Sequence, residues 1–116
     1  KTFLRRGPDK SYKIDWILER NNYPLKVIAE HEHWRQVIDF QGDEGWVYFR
    51  LLSGKRTIII SQDEIFLRKT SKKNSNPIGI LKYGVIGELI DKKGNFCNAK
   101  FKNLKGWINK NDAWGC

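Results

Sequence analysis

The sequence predicts an all-β protein made of two tandem copies of one small barrel. Its apolar residues recur with period two or in short runs, not with the 3.6-residue period of an amphipathic helix. Residues that favour turns interrupt these runs about every ten residues, which is typical of small antiparallel sheets. The chain also repeats itself at an interval of about 60 residues, the length of a complete small barrel.

Short segments rich in β-branched and aromatic residues predict the individual strands. Four of them lie in the first half of the chain, at 24–30, 34–40, 45–48 and 56–60. Stretches of Gly, Pro, Asn and Asp separate the strands and predict turns, at 7–9, 21–22, 41–43, 74–77 and 93–95. No segment predicts a long helix.

The internal repeat sets the predicted domain boundary. The segment FLRR at 3–6 returns as FLRK at 66–69, Trp34 matches Phe96, and GWV at 45–47 returns as GWI at 106–108. We therefore predict one barrel over residues 1–61 and a second over residues 62–116. A domain of about 60 residues buries only about 60% of its unfolded surface. Because the junction contains the apolar run 58–60, we expect the two barrels to pack as one unit.

Composition and charge narrow the class of protein. The chain has 116 residues, is 40% hydrophobic, and has no apolar run near the roughly 20 residues of a membrane span, which predicts a folded, non-membrane domain. It contains no methionine, so we expect a processed or trimmed piece of a longer product. The formal net charge of +9 favours an anionic partner such as nucleic acid, anionic lipid or a wall polymer.

Several motifs resemble those of bacterial Src-homology-3-like (SH3b) domains. The segment 3–12 followed by Ile17 and Leu18 is similar to the family's opening strand and its polar loop with a tyrosine. The remaining matches resemble the proteobacterial subgroup that carries two such domains behind a signal peptide, and they lie at 28–35, 44–47, 51–56, 84–88, 106–108 and 112–115. The resemblance implies two SH3-like barrels, a binding module with cell-wall peptides or glycans as ligands, and a periplasmic or secreted location.

The chain departs from this family in three places. The first copy begins inside its first strand. In the second copy, Thr70 lies where the family has Gly-Pro after the arginine, here Arg68. Family members often have a cysteine partner shortly before the position of Cys97, and here that local bridge cannot form. Cys97 and Cys116 are therefore either two free thiols or one bridge closing a loop of about 20 residues.

The sequence argues against catalysis, a metal and a cofactor. The histidines His31 and His33 are far along the chain from Cys97, and nothing else marks that thiol as activated. The spacing of the two histidines suits chelation, but no third ligand lies nearby and a hairpin turn explains them. No phosphate-binding glycine loop occurs. We predict that the protein is not an enzyme.

Two sets of residues are candidates for ligand binding. Tyr12, Trp34 and Tyr48 lie beside loops, where aromatic rings could stack on a proline-rich peptide or on sugar faces. The repeated tryptophans Trp46 and Trp107 are instead predicted to form core or barrel wall. The second set is a basic loop that could contact carboxylates or phosphates, formed by Arg68, Lys69, Lys72 and Lys73.

These observations give two alternative functions. The first is a non-catalytic binding or scaffolding module of the bacterial cell envelope that recognises peptidoglycan, another envelope polymer or a protein. The alternative is a small basic β-barrel that binds nucleic acid. Against the alternative, the lysines are spread over loops and no strand combines clustered aromatic and basic residues.

Overall fold

The computed structural model describes residues 1–72 and 74–116 and confirms the all-β prediction. The chain divides into two compact units, Lys1–Lys55 and Arg56–Cys116. Each unit contains one antiparallel sheet, and the helical residues of the described chain are confined to two single turns of 3-10 helix. None of the helical turns in the described part of the chain is long and apolar enough to cross a bilayer.

The first unit is a five-stranded sheet with the order β2-β1-β5-β4-β3. A 3-10 turn at Phe49–Leu51 follows its last strand. The strands are β1 (Thr2–Arg5), β2 (Ile14–Leu18), β3 (Lys26–His31), β4 (Trp34–Ile38) and β5 (Glu44–Tyr48).

The second unit is a seven-stranded sheet with the order β12-β6-β9-β10-β11-β7-β8. A 3-10 turn at Lys110–Asp112 precedes its last strand. The strands are β6 (Thr57–Ile60), β7 (Glu64–Arg68), β8 (Pro77–Lys82), β9 (Ile86–Lys93), β10 (Phe96–Phe101), β11 (Leu104–Asn109) and β12 (Ala113–Trp114).

Strand pairing gives the internal repeat a structural meaning. Strands β1 to β5 correspond in order and pairing to β7 to β11. The cross-strand pair Phe3–Ile17 matches Phe66–Ile80, and both hairpins are irregular at the following position. The same bulge occurs in β3 and β9, where Ile28 and Ile90 are the unpaired residues. The two units therefore share one fold over these five strands.

The two cores differ in size. In the first unit Leu4, Val37 and Val47 are fully buried. The second core has ten buried hydrophobic residues among those described, and two of them, Ile58 and Ile60, come from β6. Burial of apolar side chains is the main stabilising term in folding. The second unit therefore has much the larger share of this stabilisation.

Strand β6 belongs to the second unit. The predicted boundary after Ser61 assigned this strand to the first barrel, but Thr57 to Ile59 pair with β9 and Ile60 pairs with β12. The physical reason is that the isoleucines of β6 are buried against the large core of the second unit. Neither sheet closes on itself in the described pairing, and the packing of two barrels as one unit stays a prediction.

Candidate functional site

Four aromatic rings gather at one end of strands β4 and β5. Trp34 and Tyr48 face each other in the strand ladder, and their ring centroids are 5.6 Å apart in an edge-to-face arrangement. His33 stacks on Phe49 at 5.4 Å, and the Tyr48 ring lies 5.3 Å from that of Phe49. We call His33, Trp34, Tyr48 and Phe49 the aromatic cluster. It contains two of the three aromatic residues predicted from the sequence to bind ligand.

The backbone around the hairpin explains why these rings meet. Glu32 has a φ of 52°, which allows the tight turn between β3 and β4 and places His33 at its end. The Phe49 amide donates to the His33 carbonyl at 2.9 Å, so the chain after β5 is fixed against this turn. Cross-strand pairing, this hydrogen bond and the 3-10 turn together bring the four rings to one place.

Two arginines make the cluster cationic. The guanidinium carbons of Arg35 and Arg50 lie 5.8 and 5.4 Å from the centre of the Phe49 ring. Arg35 is held in position because it donates to the Glu32 and Trp34 carbonyls at 2.8 and 3.0 Å. Its Nε also lies 3.3 Å from a Glu30 carboxylate oxygen. A ring face flanked by guanidinium groups suits a ligand that has both an apolar surface and negative charge.

The second unit has the same backbone at this place but different side chains. Its Lys110 amide donates to the Asn95 carbonyl at 2.9 Å, as Phe49 does to His33. Phe96 pairs with Asn109 where Trp34 pairs with Tyr48. In the second unit, the positions equivalent to those of the four clustered rings are occupied by Asn95, Phe96, Asn109 and Lys110. The aromatic cluster is a property of the first unit.

Tyr12 lies in the loop between β1 and β2. A Cβ atom added to Gly7 would lie 2.5 Å from the Tyr12 ring, so the ring packs directly on this glycine. In the same loop the Ser11 hydroxyl and amide donate to Asp9, which holds the pKa of that carboxyl below its ordinary value. The structure therefore places Tyr12 on a folded loop, with its side chain about half exposed.

Arg68 is committed to its own loop. Its Nη1 donates to the Ser75 carbonyl at 2.8 Å, and its guanidinium carbon lies 5.4 Å from the centre of the Phe66 ring. Burial raises the pKa of Asp112, and the Asn109 amide and the charge of Arg68 act in the opposite direction. These interactions give Arg68 a structural role, whether or not it also contacts a ligand.

The lysines beside Arg68 lie on a loop with its own internal hydrogen bonds. The Lys69 amide donates to the Asn76 carbonyl, and the Ser75 amide donates to the Lys72 carbonyl, both at 3.0 Å. The side chains of Lys69 and Lys72 are exposed, while Lys73 lies outside the described residues. This loop belongs to the second unit and the aromatic cluster to the first, so the predicted ligand-binding residues fall into separate sets.

The cysteines form a bridge in the second unit, and His33 lies in the aromatic cluster of the first. Cys97 is buried in the core of the second unit and is bonded to Cys116, with 6.1 Å between their Cα atoms. Of the two alternatives that the sequence left open, two free thiols or one bridge, the structure has the bridge. His33 stacks in the aromatic cluster, and the residues that the structure describes contain no group of three His, Cys, Asp or Glu side chains able to hold a metal ion.

The sequence prediction missed His33, Arg35, Phe49 and Arg50. The sequence suggests for His33 a metal-ligand role, a catalytic role with Cys97 or a place in a hairpin turn, although its aromatic ring is an available signal for the cluster. Phe49 directly follows Tyr48 and continues the strand's aromatic pattern, which is a second available signal, and Arg50 is the next residue. The position of Arg35 over Phe49 depends on strand register and had no local signal.

Comparison with known proteins gives a family match to the first unit. The family model of the bacterial SH3 domain matches residues 1–54. The matched residues include all five strands of the first sheet and the whole aromatic cluster. A search of curated proteins gave no match. Bacterial SH3 domains are generally binding modules and are often extracellular or associated with the cell envelope.

Proposed function

Because residues 1–54 match the family model of the bacterial SH3 domain, we propose that the chain is a non-catalytic binding module of the bacterial cell envelope. We place it in the periplasm or outside the cell, with peptidoglycan as its ligand. The observation that carries this proposal is the aromatic cluster with its two arginines.

The chemistry of the cluster suits peptidoglycan. Trp34 and Tyr48 offer ring faces and edges on which sugar rings or peptide side chains can stack. Arg50 offers a guanidinium group that can pair with a carboxylate of a wall peptide, while Arg35, held by Glu30 and two carbonyl groups, adds positive charge beside the Phe49 ring. The net charge of +9 adds long-range attraction to an anionic polymer. Recognition therefore combines stacking with charge.

The second unit supplies conservative variants for the test. Its backbone accepts Phe at the position of Trp34 and Asn at the position of Tyr48, so Trp34→Phe and Tyr48→Asn copy residues that this fold already accommodates. We expect Tyr48→Asn to weaken co-sedimentation with purified peptidoglycan about tenfold, the effect of losing one important contact residue. Trp16→Ala, at an exposed tryptophan of β2, is the matched control and should bind normally.

A separate variant tests the basic loop of the second unit. Changing Lys69, Lys72 and Lys73 to Glu should reduce binding if the loop contacts the polymer, and added salt should then weaken binding of the original protein as well. If this variant loses binding while Tyr48→Asn binds normally, the basic loop and not the aromatic cluster is the binding site. Retention on single-stranded RNA with no retention on peptidoglycan would reject the proposal in favour of nucleic-acid binding.

A further inference from the structure

Most of the protein's positive charge lies in the second unit. Residues 56–116 contain 12 lysines and arginines against 5 aspartates and glutamates, while residues 1–55 contain 10 against 8. The second unit therefore carries +7 of the formal net charge of +9. Because the two units share one fold over five strands, their side chains can be compared position by position.

At one end of the second sheet, three positions that are acidic in the first unit have different residues. Ile78 occupies the irregular position of the β7–β8 hairpin, where the β1–β2 hairpin has Asp15. Leu104 and Lys105 directly precede the Gly-Trp pair of β11, where the first unit has an aspartate and a glutamate at 43–44. Two aliphatic side chains and a lysine thus lie where the first unit has three carboxylates.

Close contacts bring these positions to the same end of the sheet. The side chain of Leu104 lies 2.7 Å from where a Cβ atom of Gly79 would be, so it packs beside the residue that follows Ile78. The Arg68 carbonyl lies 2.7 Å from the corresponding point on Gly106, so the end of β7 adjoins the beginning of β11. Ile78 and Leu104 are nevertheless 38% and 39% exposed.

Five lysines at this end are also exposed. Lys69 and Lys72 belong to the loop that follows β7, and Lys102 forms the turn before β11 with a φ of 54°. Lys100 and Lys105 lie directly opposite each other in the strand ladder, although like charges at such positions destabilise a sheet. We call these five lysines, Ile78 and Leu104 the basic-aliphatic patch.

The patch has fewer carboxylates than its counterpart to offset its lysines. In the first unit Arg6 pairs with Asp15 at 3.0 Å. Lys69 holds the position of Arg6, and Ile78 replaces that aspartate. In the strand ladder Glu88 lies opposite the lysine at the end of β10 and offsets one of the five charges. The patch is therefore left with a net positive charge.

The composition of the patch fits the surface of an anionic lipid bilayer. Lysines are attracted to anionic head groups, and aliphatic side chains between them enter the boundary between head groups and acyl chains. Sugars and nucleic-acid bases are instead bound by stacking on aromatic rings. Ile78 and Leu104 have no ring face, so they favour a lipid surface over a wall polymer or a nucleic acid.

We propose that the second unit docks through the basic-aliphatic patch on a bilayer that contains anionic phospholipid. The lysines bind phosphates of the head groups, and Ile78 and Leu104 enter the layer beneath them. The aromatic cluster belongs to the other unit, so this docking does not depend on peptidoglycan binding.

The test is co-sedimentation of the full 116-residue chain with lipid vesicles. We expect binding to vesicles of phosphatidylglycerol and phosphatidylcholine in equal parts, weaker binding at high salt, and little binding to phosphatidylcholine alone. Lys105→Glu should weaken binding roughly tenfold. Lys93→Glu is the matched control, because it makes the same change of charge beside the beginning of β10, away from the patch, and should bind nearly normally.

The aliphatic side chains are tested with variants that the shared fold accommodates. Ile78→Asp and Leu104→Asp place aspartate where the first unit has it, and each should weaken vesicle binding roughly tenfold. Ile90→Asp is the matched control, since Ile90 is an exposed aliphatic residue of β9 outside the patch. Hydrogen exchange of the original protein gives a second readout: anionic vesicles should slow exchange at residues 102–105 and leave residues 93–95 unchanged.

Three results would overturn the proposal. The first is no binding to the anionic vesicles at low salt, and the second is an equal loss of binding in the patch variants and their controls. The third is a loss in Lys105→Glu with normal binding by Ile78→Asp and Leu104→Asp, which would make the patch a site for a soluble polyanion. Parallel assays with single-stranded RNA and peptidoglycan would then identify that polyanion.

Discussion

Arg5 and Arg68 hold the same position in the two units and perform the same task. Each ends the first strand of a hairpin and lies opposite a tryptophan, Trp46 or Trp107. Each donates Nη1 to carbonyl groups of the loop that follows: Arg5 to Lys10 and Tyr12 at 3.0 Å, and Arg68 to Ser75 at 2.8 Å. The arginine in the repeated tetrapeptide therefore holds the long loop of each unit.

Arg5→Lys should loosen the first loop without removing positive charge. Lysine is shorter and does not place its ammonium where Nη1 of Arg5 donates to both carbonyl groups, so we expect a loss of about 1 kcal/mol in unfolding free energy and faster amide exchange in residues 6–13. Arg6→Lys is the matched control, because Arg6 pairs with Asp15 on the exposed surface and such pairs contribute little. Equal effects of the two substitutions would contradict this role of Arg5.

The glycine before each of these tryptophans has a packing role that can be tested. A Cβ atom on Gly45 would lie 2.5 Å from the Cβ of Leu4, which is fully buried and cannot move aside. We expect Gly45→Ala to destabilise the first unit by about 1–3 kcal/mol, the usual cost of overpacking. Gly54→Ala is the control, because an added Cβ there meets nothing within 4 Å. Urea unfolding of both variants measures the difference.

Local patterns in the sequence predicted the strands and the repeat well. The predicted strands at 34–40 and 45–48 correspond to β4 and β5. The repeated Gly-Trp was recognised as a marker of the fold, and its cause is the close approach of Gly45 to Leu4. These features depend on residues that are neighbours in the chain or that recur at a fixed interval, and both are visible in one sequence.

The features that the sequence did not predict depend on pairing between distant residues. Strand β6 directly follows the first copy in the chain, yet it pairs with β9, and only long-range pairing decides its unit. The aromatic cluster needs the register that sets Trp34 against Tyr48 and the hydrogen bond from Phe49 to His33. Composition and spacing do not specify register, so part of the site could not be predicted.

Tyr23 gives the first unit a pH dependence in the alkaline range. Burial and the nearby charge of Asp39 raise the pKa of Tyr23 to about 12, and its hydroxyl donates to Asp39 at 3.2 Å. Because the pKa of Tyr23 is raised in the folded state, the stability contributed by its protonated hydroxyl is complete below pH 10. It is lost as the pH rises towards 12. We expect Tyr23→Phe to lose less stability than the original protein between pH 10 and 12. Ionisation of all four tyrosines near pH 10 in the folded protein would contradict this.

The bond between Cys97 and Cys116 should stabilise the second unit alone. It fastens the end of the chain to β10 across 19 residues, and closing a loop of that length in the unfolded chain is worth roughly 3 kcal/mol. Cys116→Ser should therefore lower the unfolding free energy of the second unit by about that amount and speed amide exchange in β12, which pairs with β6 next to the chain end. The amides of β4 and β5 are the internal control, because they belong to the other unit and should exchange as before. If two thiols react at once with a thiol reagent in the unreduced, denatured protein, the bond is absent. If Cys116→Ser speeds amide exchange equally in both sheets, the effect of the bond is not confined to the second unit.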